Sequence, residues 1–195
     1  MSKVIGSLVL GALLLAVSAP VLGAETAAAP KGATIQANVI NMEPGAFKRT
    51  ARLIVTLDRF TPDEELAGTV DAFRAGGQSA MVALWQKEEP VVGRMRFANT
   101  LGYDIRVARI RDTETGRKLT LVTDRPIGGF EVMGSLRSED YPIGWIEIEL
   151  DKKGKGSGKM IPAAQLRVED GSLVMESFGT QPMRLQQVSV KIKNK

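Results

Sequence analysis

Residues 159–178 read KMIPAAQLRVEDGSLVMESF. In this stretch Asp170-Gly171 stands between two runs whose apolar residues fall at alternate positions, Leu166 and Val168 on one side and Leu173 and Met175 on the other. A period of two marks a strand with one buried face. Asp-Gly tolerates the positive φ that favoured two-residue turns require. The stretch is therefore read as a β-hairpin, with strands over 159–168 and 173–178.

The same pattern extends in both directions. Candidate strands cover 91–98, 103–111, 118–124 and 143–150 upstream and 183–192 downstream, with turn signals at Asn99-Thr100, Glu114-Thr115-Gly116 and Gly179-Thr180. Connections this short make antiparallel neighbours in meander order. Nearer the N-terminus, Thr34 to Ile40 is followed by a turn with Pro44 and Gly45, then by Arg49 to Phe60, where Ala51, Leu53, Val55 and Leu57 alternate with Arg52, Thr56 and Asp58. One interruption is helical. Thr61 suits a cap, Pro62 a first helical position, and Asp63 to Glu65 the positive end of the dipole, with Glu64 completing a capping box. Leu66, Val70 and Phe73 form one apolar stripe, Gly76-Gly77 ends it, and Ala80, Met81, Leu84 and Trp85 form a second. The fold class implied is α+β, mainly antiparallel β. A meander sheet closes as a barrel or folds as a sandwich, and a two-helix segment over 62–88 covers one end or one face.

Residues 1–24 carry one charge, Lys3, then an apolar run from Val4 to Val17 broken only by Gly and Ser, then Pro20 and the small residues Gly23 and Ala24. This is the pattern of a signal peptide, and the run is shorter than the ~20 apolar residues of a spanning helix. Residues 25–33 read as a flexible lead-in and 34–195 as a single β-rich domain. Without the signal the chain has 171 residues and 25 basic against 22 acidic side chains, a net charge of +3. That length supports one buried core, and the charge favours anionic partners weakly. The expected address is periplasmic or secreted, with no integral membrane segment in the mature chain. The sequence has no Cys, so disulfides, thiolate chemistry and a lipid-bearing cysteine are excluded. It has no His, which excludes Ser-His-Asp and Cys-His catalysis and His-ligated zinc. No cofactor, metal or nucleic-acid partner is implied.

The Lys152–Lys159 stretch, KKGKGSGK, invites comparison with a phosphate-binding loop. It is one residue short of G-x-x-x-x-G-K-[ST], Met160 stands where the hydroxyl belongs, and Pro162 follows where a helix should start. It reads as a solvated loop, with anionic head groups as an alternative contact for its lysines. Those lysines also oppose a calcium ion beside Asp151. Arg94 and Arg96 alternate with Gly93, Met95 and Phe97, and Arg106 follows in the next strand. Paired strands would set these guanidinium groups on one face, able to read carboxylate or phosphate. The plainer alternative is a wet face neutralised by Asp104, Asp112 and Glu114. Between Asp124 and Tyr141 lies an irregular connection rich in Gly, with Ile127, Phe130, Val132 and Met133. Either it is a binding loop, or Phe130 and Val132 pack beside Trp145. Arg94, Arg96, Arg106, Phe130 and Trp145 are thus the candidate ligand-binding residues. Glu147 and Glu149 share one strand face, as a catalytic carboxylate pair or any solvent-facing edge would.

Thr123-Asp124-Arg125-Pro126-Ile127, Asp140-Tyr141-Pro142, Asp151 to Lys159 and Phe178 to Leu185 resemble phrases of a family of exported bacterial proteins of unassigned function. The resemblance covers most of the mature chain and implies export. Its phrases are turns and strands, so no activity or site residue comes with it. The leading functional expectation is an exported, soluble, non-catalytic binding or interaction module for a small apolar or amphipathic anionic ligand held in the sheet interior. The alternatives are a histidine-free carboxylate enzyme, hydrolase or isomerase, and a structural envelope component. An open apolar interior distinguishes the first, a cleft with paired carboxylates the second, and a solid core the third.

Overall fold

The computed structural model describes residues 31–42, 50–88, 91–98, 102–128, 140–179 and 181–193. The expected signal peptide, most of the lead-in, Phe130 and its neighbours from 129 to 139 lie outside the described residues. Nine strands and one helix follow in order: β1 (Gly32–Ile40), β2 (Thr50–Leu57), α1 (Asp63–Glu88), β3 (Gly93–Phe97), β4 (Tyr103–Asp112), β5 (Gly116–Thr123), β6 (Ile143–Asp151), β7 (Lys155–Glu169), β8 (Ser172–Phe178) and β9 (Met183–Lys193). Every pairing is antiparallel. Strands β1 to β6 are consecutive neighbours, β7 pairs with both β6 and β9, and β9 returns to β1. Eight strands therefore close a barrel, and β8 hangs outside it on β7. The alternative of a sandwich is excluded by this closure.

Alternation decides what lies inside. An eight-stranded barrel is just wide enough for side chains to fill. Ile35, Leu53, Leu121, Ile146 and Met160 meet there in one continuous cluster at 0% exposure. The interior is a packed core. β1 starts two residues before the expected Thr34 because Ala33 already belongs to that core. Outward positions of β1, β2 and β3, such as Gln36, Asn38, Arg52, Arg94 and Arg96, are polar and exposed, the reverse of a membrane barrel's apolar exterior. Among the described residues, no helix is long and apolar enough to cross a membrane.

The 15-residue strand β7 departs most from the sequence reading. Its first half, Lys155 to Met160, runs between β6 and β9, and its second half pairs with β8 from Ala164↔Phe178 to Glu169↔Ser172. Asp170 and Gly171 turn at φ 48° and 70°, as the hairpin signal requires. The Lys/Gly stretch, in contrast, is mostly strand. Only 152–154 turn: Asp151 Oδ1 accepts the Lys153 and Lys155 N–H groups at 2.8 Å each, and Gly154 takes φ 74°. Gly156 serves close approach, because a Cβ there would overlap the Glu149 carbonyl oxygen across the ladder.

Helix α1 keeps the expected break. Gly76 and Gly77 leave helical geometry within it, Gly77 at φ 68°. Leu66, Val70, Met81 and Trp85 bury onto the outside of the barrel against Val107, Val122, Ile143, Trp145 and Ile161, forming a second core. The expected Thr61 cap is replaced by something else. The Thr61 hydroxyl accepts the Ala108 N–H at 2.9 Å and its own N–H donates to the Ala108 carbonyl at 2.9 Å. Pro62 supplies the first helical carbonyl, bonded to Leu66 N–H at 3.0 Å. The pairing of β3 with β4 stops at Gly93↔Ile105, so Thr61 satisfies the edge that β3 leaves open.

Two substitutions check this arrangement. Gly156→Ala forces the β6–β7 ladder apart and lowers stability by about 1–3 kcal/mol, read as a fall in the urea midpoint; an unchanged midpoint would disprove the close approach. Thr61→Val keeps the volume but strands a buried Ala108 N–H, at a loss of about 1–3 kcal/mol. In that variant the Ala108 amide should also exchange with solvent faster.

Candidate functional site

The outer faces of β2, β3 and β4 form a groove. Register aligns Thr56 with Arg94 and Arg94 with Asp104, and Ile54 with Arg96, so alternation throws both arginines outward while Met95 points to the core. The groove holds about 610 Å³ and is lined by these residues together with Asp58, Gly102 and Arg125. Arg94 Nε donates to Asp104 Oδ1 at 2.9 Å. Arg96 is exposed and takes no hydrogen-bond or ion-pair partner among the described residues.

Arg125 is the residue that sequence reasoning missed. Its guanidinium lies 5.0 Å from the centre of the Tyr103 ring and donates to the Gly102 carbonyl at 2.9 Å. The ring is itself fixed. Tyr103 OH donates to the Gly128 carbonyl at 3.1 Å and accepts the Gly128 N–H at 2.8 Å, and Phe97 packs edge-on at 6.5 Å. A cation held over a rigid ring is positioned at little further entropic loss. The only sequence signal was an arginine just past a strand end, with nothing to connect it to β3.

Arg106 does not join this face. It is 6% exposed, its Nε and Nη2 donate to Asp124 Oδ2 at 3.0 and 2.8 Å, and its Nη1 donates to the Trp85 carbonyl at 3.0 Å. A register shift between Ile105 and Val107 accompanies its place under the end of α1, where the bond to the Trp85 carbonyl ties the helix to the barrel and the two bonds to Asp124 fix the guanidinium. It is a structural clamp. Trp145 sits on the outer face of β6 within the second core, 4% exposed, its Nε1 unpaired among the described residues. It lines a smaller cleft of about 170 Å³ with Arg109, Arg111, Lys118 and Glu147. The cluster of Arg94, Arg96 and Arg106 therefore resolves into two surface arginines and one buried clamp, with Arg125 completing the trio.

The carboxylate pair also separates into different roles. Glu147 lies between Lys118 at 3.2 Å and Lys159 at 2.9 Å, while Glu149 is exposed. Burial pulls the Glu147 carboxyl upward, but the hydrogen bonds and charges of Lys159 and Lys118 outweigh it and hold the group below its ordinary value. A carboxyl so held stays ionised and makes a poor general acid. Among the described residues, no cluster of three or more Asp or Glu could hold a metal ion.

Glu147 sets a pH dependence. A carboxyl more acidic in the folded than in the unfolded chain, where it titrates at about 4.3, binds fewer protons when native, so protonation favours unfolding. Stability is full above that value and falls as pH drops through the lower, folded one. Urea midpoints measured between about pH 3 and 7 should show this fall, and Glu147→Gln should make the curve shallower.

No protein-family model, curated protein or solved structure matches the chain. The site is therefore read from its own geometry.

Proposed function

We propose that the protein is an exported, non-catalytic binding module whose outer groove takes the anionic end of a small amphipathic ligand. The observation that carries this reading is Arg96, exposed and without a hydrogen-bond or ion-pair partner among the described residues, which lines one groove with Arg94, Arg125 and Ile54. Three guanidinium groups line this groove against two carboxylates, Asp58 and Asp104, an excess of one positive charge, and guanidinium favours carboxylate or phosphate, which accept paired N–H bonds in their plane. Ile54, half-buried, and the stem of Arg94 offer apolar surface beside the charges. The packed barrel interior rules out the ligand cavity expected inside the sheet and matches the solid core expected of a structural envelope component; the basic outer groove is what favours binding over that second reading. Export, with residence in the periplasm or medium, is supported by the signal pattern of residues 1–24 and by the family resemblance.

Dodecyl phosphate, titrated calorimetrically below its micelle concentration, is the probe, and dodecyl maltoside is the uncharged control. Wild-type protein should bind only the phosphate, and more weakly as salt rises, since exposed ion pairs are screened over about 8 Å at physiological ionic strength. Arg96→Gln combined with Arg125→Gln should weaken binding about tenfold or more, the loss of roughly one charge-assisted hydrogen bond, while the melting temperature holds. Equal affinity for the two detergents, or no loss in the double variant, refutes the reading.

A further inference from the structure

Charge is sorted around the barrel. Strands β9, β1, β2 and β3 form the half that α1 and β8 leave open, and no acidic residue occurs in any of the four. Their outward positions carry Arg52, Arg94, Arg96, Arg184, Lys191 and Lys193, all exposed. Two acids border this half, Asp58 just past β2 and Asp104 on β4, the latter paired with Arg94 at 2.9 Å; others, such as Asp63, Glu64 and Glu65 on α1 and Asp112 at the end of β4, lie away from it. Register then arranges the open half in rows. Lys191, Thr34, Thr56 and Arg94 align across the four strands, as do Ser189, Gln36, Ile54 and Arg96. Hydroxyl and amide side chains thus lie between the cations. Neighbouring strands are about 4.8 Å apart and same-face residues on one strand about 6.7 Å apart, which sets a grid of cations interleaved with neutral hydrogen-bonding groups.

We propose that this face binds a linear acidic polysaccharide. The inference extends the groove reading, because Arg94 and Arg96 form the β3 edge of the same face. Carboxylate or phosphate groups along such a chain would meet the arginines and lysines, and its hydroxyls would meet Thr34, Thr56, Gln36, Asn38 and Ser189. Two other polyanionic partners fit less well. Outward positions of the four strands carry no aromatic ring, whereas single-stranded nucleic acid is held by stacking. An anionic bilayer is flat and is gripped by apolar side chains inserted beside the basic ones. This face is convex, and the large exposed hydrophobics of the described residues, Met42 and Phe178, lie outside its four strands. A flexible polymer follows the curvature and keeps contact with successive rows.

The test uses polygalacturonate, uncharged dextran and phosphatidylglycerol vesicles as probes, with the full secreted chain. The decisive variant is Arg184→Gln with Lys191→Gln and Lys193→Gln, exposed residues of β9 that do not line the groove. Wild-type protein should bind polygalacturonate and not dextran at low salt, with binding lost as salt rises. The triple variant should bind polygalacturonate at least tenfold more weakly while its affinity for dodecyl phosphate stays at the wild-type value. If dodecyl phosphate binding fails in wild type while the triple variant still loses the polymer, the groove reading falls and the face stands. Absence of polygalacturonate binding by wild type, equal binding by the triple variant, or capture by the vesicles without capture by the polymer overturns the proposal.

Discussion

Closure of the barrel obliges β7 to satisfy three neighbours, and the remaining architecture follows from how it does so. Along one edge it pairs with β6; along the other it pairs first with β9 and then with β8. The handover falls at Pro162 and Ala163. Proline has no N–H to leave unpaired between two partners, the Pro162 carbonyl accepts Ile127 N–H at 2.8 Å, and the Ala163 carbonyl accepts Gly179 N–H at 3.0 Å. Beyond that point β7 overshoots the barrel. Its outer half and β8 reach α1, where the Leu166 N–H donates to the Gln78 side-chain carbonyl. The second core exists because of this overshoot.

The two halves of the barrel are consequently unlike. One carries α1 and the β7–β8 hairpin over an apolar exterior, fastened by the Arg106 clamp and by the paired bonds of Thr61 to Ala108. Arg106 has a favourable position as well as favourable partners, because a cation at the last carbonyls of a helix opposes the negative end of its dipole. No described helix or strand covers the other half, and its exterior is basic and hydroxyl-rich. The proposed binding surface lies where packing makes no demand on the side chains.

Legibility in the sequence followed the same division. Strands whose inward residues alternate cleanly, such as Leu53, Val55 and Leu57, were placed within about three residues at either end, and the Asp170-Gly171 turn and the Gly76-Gly77 break stood where their dihedral freedom put them. Gly156 and Gly158 misled because glycine permits both loop freedom and close strand approach, and only the partner strand distinguishes the two. Thr61 had the chemistry of a cap, but the open edge of β4 competed for its hydroxyl and won. Arg106 looked like its neighbours on β3, but it lies beneath α1, at a register shift. Arg125 was hidden because its place depends on Tyr103, which is distant in sequence. Side-chain type suggested the proposed anion chemistry; which arginines share a surface depended on long-range pairing that periodicity does not encode.

The pairing of β1 with β9 joins the first described strand to the last, from Gly32↔Lys193 to Ile40↔Arg184. Such a ring cannot form while the chain is still being delivered, N-terminal end first. Until β9 arrives, β1 and the inner half of β7 present bare ladders, and the cluster around Ile35 and Val190 lacks one wall. Contacts of this sequence separation are the slow ones in folding, because the entropy of a long loop is lost before any contact compensates. The last strand to emerge is thus the one that converts an open, curled sheet into a closed cylinder, and a chain stopped short of it would expose two adhesive edges at once.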